Sequence, residues 1–159
     1  MPLTDENLGP GSRGALLAVW AVVNAVSLLQ ALGFLSRITT GGRAVNHALG
    51  YAIMGLALPA AWAALVLIRR DAPLLLIIGP AAFLAFVVLM AVVDYIRPIE
   101  FRTPPRPAIL VPYLALFFGA IFLMGLPMYR IDRRLWLVTL VSSVLLLIAM
   151  VQAIRHGVG

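Results

Sequence analysis

The chain alternates between five apolar runs and short connecting segments that hold all of its arginine. The runs lie at 14–36, 47–68, 73–96, 108–128 and 135–154. Few folds tolerate that pattern. A helix rises 1.5 Å per residue, so about 20 apolar residues cross a 30 Å hydrocarbon core. Barrel strands would instead show alternation in segments of about ten residues. A spanning helix satisfies its own backbone polar groups, as lipid demands. The expected fold class is therefore all-α, an integral membrane bundle of about five transmembrane helices.

Composition closes the soluble alternative. Apolar residues make up 63% of the chain, charged residues 11%, and the mean hydropathy is +1.05. Ordinary soluble domains are nearer half apolar and about a quarter charged. A domain of this size leaves roughly a third of its surface uncovered, so lipid has to solvate it. All twelve basic residues are arginine and the net charge is +6. They sit at the ends of apolar runs, where membrane lipids with anionic headgroups are the expected partners. No basic stripe lies outside the spans, which excludes nucleic acid as a partner. With no cysteine, disulfides, iron–sulfur clusters and c-type haem attachment are also excluded. Two widely spaced histidines make no zinc signature. No phosphate loop, dinucleotide fingerprint or nucleophile elbow is present. The sequence therefore assigns no catalytic residue, no metal and no cofactor.

Residues 1–12 read as a short polar, acidic tail, and 13–157 as a single transmembrane helical domain. The first run exceeds the 7–15 residues of a signal h-region and follows an acidic stretch, so a retained helix is expected. Gly41-Gly42 fall in a loop over 38–46. Arg69-Arg70-Asp71 turn spans two and three into a tight hairpin, with Pro73 suited to the first turn of the third helix. Four prolines between Arg97 and Pro107 forbid a continuous helix there. The turn Arg130-Ile131-Asp132-Arg133-Arg134 joins spans four and five. Both hairpins turn on arginine plus aspartate, which fits either a duplicated unit or the general need for a charged turn. Five crossings put the tail and these two turns on one face, called here the first. The other loops and the C-terminal end lie on the second. Each face carries six arginines, so the positive-inside rule ties. The arginines flanking span one lean toward an N-terminus outside, in a bacterial or archaeal cell membrane.

Polar residues inside the spans each need a reason. Asn24, Ser27 and Gln30 recur at three-residue spacing and share one broad side of span one with Trp20 and Ala31. Interhelical hydrogen bonding is the leading explanation, and the wall of a ligand or ion path is the alternative. Ser142 and Ser143 are candidate partners, or bond to their own helix. Ala57, Ala60, Ala61 and Ala64 mark close helix packing. Pro59, Gly79-Pro80 and Gly125 with Pro127 are expected to weaken their helices. No ionisable group lies near the centre of any span, which disfavours ion-coupled transport. On the second face His47, Asp94, Tyr95, Arg97, Glu100, Arg102, Tyr113 and His156 are expected at the membrane surface. Of these, His47, Asp94, Arg97, Glu100, Arg102 and His156 form the candidate headgroup or ligand site. Asp94 and Arg97 also read as a helix-spaced ion pair.

Five spans in so short a chain are the format of the translocator protein family, whose members are rich in tryptophan. Three unclustered tryptophans set this chain apart, and no family is assigned from the sequence. Three functional readings follow, in order of preference. The first is a non-enzymatic subunit or structural component of a membrane complex, with a protein partner or copies of itself. The second is a small oligomeric transporter or channel. The third is an interfacial protein or enzyme acting on a lipid headgroup.

Overall fold

Every regular element is helical among the described residues of the computed structural model, which are 12–40, 43–101 and 106–157. Residues 1–11 of the expected tail, the Gly41-Gly42 turn and Arg102 fall outside them, and Ser12, expected in the tail, already belongs to the first helix. Helix α1 spans Ser12–Thr40. The second span is split into α2 (Arg43–Gly55) and α3 (Ala57–Arg69). Helix α4 (Leu74–Met90) runs into a π-helical turn, Ala91–Ile96. Helix α5 (Pro107–Gly125) is followed by a short α6 (Met128–Ile131) and by α7 (Arg133–Arg155). Five helical stretches are long and apolar enough to cross a membrane.

Local chemistry accounts for where these helices start, break and stop. Helix α1 outruns the expected 14–36, and within its last turns the Ser36 hydroxyl donates to Gly33 O (2.9 Å) and that of Thr39 to Leu35 O (3.2 Å). Arg37 therefore ends the apolar run without ending the helix. Pro59 removes the N–H that Gly55 O would accept, and the second span breaks at Leu56, whose own N–H is shared between Ala52 O and Ile53 O. Asp71 adopts φ 50° to turn the chain between spans two and three, a conformation aspartate tolerates better than most residues. Pro73 sits just before α4 rather than in its first turn.

Gly79-Pro80 does not break the third span: α4 is continuous through it. Its role is contact. A Cβ on Gly79 would lie 2.8 Å from Met124 N and 2.9 Å from Leu123 C, so α4 and α5 meet there backbone to backbone. Gly125 and Pro127, by contrast, do end α5.

Helix α1 lies innermost, packed against α2, α3, α5 and most extensively α7, while α4 fills the space between α3 and α5. Val19, Val22, Val23 and Val26 of α1 are buried against this ring, as are Ala60, Ala63 and Leu67 of α3. Phe83 and Phe86 of α4 complete the core with Phe117 and Met124 of α5. Much of the outer surface is apolar too: Leu58, Trp62 and Leu65 on α3 and Val141, Leu145 and Ile148 on α7 are exposed. So broad an apolar exterior is tolerated only where the surroundings are hydrocarbon.

Candidate functional site

The polar residues of span one sort into a packed seam and a cluster near the second face. In the seam, Asn24 is 8% exposed and faces α7. Its Nδ2 donates to Trp20 O (2.7 Å) and to Thr139 Oγ1 (3.1 Å). Its Oδ1 accepts from the Ser142 hydroxyl (2.8 Å). That hydroxyl also lies 3.0 Å from Thr139 O, and Thr139 in turn donates to Leu135 O (3.1 Å). The Trp20 indole N–H donates to the same Leu135 carbonyl (2.9 Å). Among the described residues no buried side-chain nitrogen or oxygen lacks a partner. The contacts also fix direction. Trp20 and Leu135 both lie near the starts of their helices, so spans one and five run parallel.

Ser27 takes no part across the seam, because its hydroxyl donates to Val23 O of its own helix (2.8 Å). Gln30 is half-buried further along α1, beside Gly33. Asn46, at the start of α2, ties in here: the amide orientation that satisfies both neighbours has its nitrogen donating to Gly33 O (3.1 Å) and its oxygen accepting from Arg37 Nε (2.8 Å). The three residues singled out by spacing thus divide among three environments. Thr139 and Asn46 escaped the sequence reading. Thr139 stands three residues before Ser142, the same spacing that drew attention to Asn24 and Ser27, and that was the available signal.

At the second face, the ends of spans two, three and four converge. The Tyr95 hydroxyl donates to His47 O (3.0 Å), and the His47 ring stands edge-on to the Tyr95 ring at 5.3 Å. The Tyr51 ring also packs on Tyr95, tilted at 4.8 Å. Gly50 is required there, since a Cβ would overlap the Tyr95 hydroxyl. Asp94 turns the other way and accepts from the Tyr113 hydroxyl (3.2 Å). The Tyr113 ring is sandwiched by Phe86 (5.1 Å) and Phe101 (5.2 Å), and Phe101 is wholly buried. Phe101 is therefore anchored into the bundle through an aromatic plug.

The π-helical turn alters one expectation. Arg97 bonds back to Val92 O and leaves the helix at φ −129°, ψ 80°. Asp94 and Arg97 consequently lack the α-helical offset on which an i, i+3 pair depends. Arg97 and Glu100 are exposed. His156 is exposed on α7, where its Nδ1–H donates to Gln152 O (2.9 Å). The convergence therefore brings His47 and Asp94 to one face through Tyr95 and Tyr113, with His156 engaged by its own helix. No group of three His, Asp or Glu residues suited to a metal occurs among the described residues. Comparison of the chain with protein-family models, curated proteins and solved structures gave no match.

Proposed function

We propose that this small multi-span bundle is a non-catalytic component of a membrane assembly, built to be rigid at its centre and to bind laterally. One observation carries the reading. The polar atoms of Asn24 are taken up by Trp20, Thr139 and Ser142, so the costliest polar residue of span one joins helices and lines no path. In lipid, such bonds and close backbone contacts are what hold helices together. The Gly79 contact with α5 is of the second kind. What then remains for other molecules is the apolar flank. Native mass spectrometry after nanodisc purification from the host tests this. A defined complex, with another subunit or with copies of the chain, is expected. A partnerless monomer that conducts solute in liposomes, with flux abolished by Asn24→Leu, would overturn the reading in favour of a transporter.

A second reading, headgroup binding at the second face, is favoured by the Tyr95–His47 and Asp94–Tyr113 contacts. His47→Ala and Arg97→Gln should then weaken binding of anionic lipid at that face, and an unaltered lipid profile would exclude it.

A further inference from the structure

Between α5 and α7 the bundle is incompletely packed. A half-open apolar groove of about 370 Å³ runs between them, walled by Phe118, Phe122, Gly125, Trp136, Ser143 and Leu147 among others. Several wall residues, Phe122, Leu126, Leu140 and Leu147, are exposed on the outer surface, so the groove opens sideways into the hydrocarbon. From Trp136 to Leu147 it follows eleven residues of helix, about 16 Å at 1.5 Å per residue. That is about half of a 30 Å hydrocarbon core. The groove is one leaflet deep, long enough for an acyl chain and too short for a helix crossing both leaflets.

Its mouth is cationic. The turn Tyr129-Arg130-Ile131-Asp132-Arg133-Arg134 has three arginines and one acid. Asp132 caps α7, accepting from Arg134 N at 2.8 Å. The three arginines are exposed. One of them is linked physically to the groove: the Arg133 guanidinium lies 5.5 Å over the Tyr129 ring, and Tyr129 stands edge-on to the wall residue Trp136 at 5.2 Å. Basic and aromatic side chains in this arrangement belong at headgroup depth.

We infer that this groove is a binding site for an anionic phospholipid, with one acyl chain between α5 and α7 and the phosphate against Arg130, Arg133 and Arg134. The proposal does not rest on the hydrogen bonds that support the assembly reading, although Thr139 belongs both to that seam and to the groove wall. It involves the first face, away from His47 and Asp94.

The test is quenching of tryptophan fluorescence by lipids brominated along the acyl chain, in phosphatidylcholine bilayers doped with either brominated phosphatidylglycerol or brominated phosphatidylcholine. Trp62→Phe protein reports Trp136 at the groove together with Trp20. Trp136→Phe protein reports Trp62, on the lipid-exposed flank of α3, again together with Trp20, so Trp20 is common to both proteins and the difference between them compares the groove with bulk lipid. Phosphatidylglycerol is expected to quench at Trp136 with about fivefold higher apparent affinity than phosphatidylcholine, equivalent to about 1 kcal/mol, and with no preference at Trp62. Arg130→Gln/Arg133→Gln/Arg134→Gln should bring the Trp136 ratio to parity. Ser143→Leu, which fills the groove, should reduce quenching by both lipids there, while circular dichroism confirms retained helicity. Equal quenching at Trp136, a preference that survives the triple substitution, or an equal preference at Trp62 would overturn the assignment. So would groove quenching that disappears as protein-to-lipid ratio rises, since a second copy of the chain would then occupy the groove.

Discussion

Replacing Asn24 with leucine removes its two hydrogen bonds across the seam, to Thr139 Oγ1 and from the Ser142 hydroxyl, and leaves the one from Trp20 to Leu135 O. Its cost can be worked from the groups left behind. Ser142 retains Thr139 O at 3.0 Å, and Thr139 retains Leu135 O at 3.1 Å. Neither hydroxyl is stranded, so the larger penalty for an unsatisfied buried group does not apply. Leucine gains nothing from leaving water, because the separated helices already lie in lipid. What is lost is two interhelical bonds, averaging about 0.6 and reaching about 1.7 kcal/mol in bilayer proteins. The expected destabilisation is about 1–2 kcal/mol. Reversible unfolding in bicelles, followed by steric trapping, would measure it. Combining Asn24→Leu with Ser142→Ala isolates the pair in a double-mutant cycle, with a coupling of about 0.5–1.5 kcal/mol expected. A wild-type-like Asn24→Leu protein with coupling below about 0.3 kcal/mol would refute the reasoning. Asn24 would then need a role other than holding spans one and five together.

Further substitutions probe three other contacts. Gly79→Ala puts a methyl against the Met124 and Leu123 backbone, and should cost about 1–3 kcal/mol in the same unfolding assay; a neutral result would mean that α4 and α5 separate freely. Gly50→Ala should destabilise by displacing the Tyr95 hydroxyl, and adding Tyr95→Phe should restore part of the loss. If the double variant is as unstable as the sum of the singles, the overlap is not with that hydroxyl. Tyr113→Phe keeps the ring packed against Phe86 and Phe101 but removes the bond to the Asp94 carboxylate, at about 1.5–3 kcal/mol. Tyr113→Ala should cost more, about 3–5 kcal/mol, and equal losses would show that the plug contributes nothing through its ring.

The lipid-spanning character of this chain follows from its sequence because it depends on length and hydropathy, which are local. Five runs of sufficient length, each ending near arginine, specify five helices whatever their mutual arrangement. Pro59 announced the break in span two for the same reason: a missing N–H acts on a carbonyl four residues away. Other features depended on what each helix meets. Gly79 read as a weak point, and only the approach of Met124 turns it into a contact. Nothing in AVVDYI signalled a π-helical turn, which changes the offset of Asp94 from Arg97 and leaves Asp94 bonded to Tyr113. Spacing put Asn24, Ser27 and Gln30 on one side of a helix. It could not say that span five would bring Thr139 and Ser142 to Asn24 alone, because the pairing of helices is a long-range packing choice. The groove between α5 and α7 is likewise a property of how two helices diverge. Its arginines were legible as a membrane boundary; that Arg133 is linked to a cleft was decided by the tertiary structure, through its place over the Tyr129 ring and that ring's edge-on contact with Trp136.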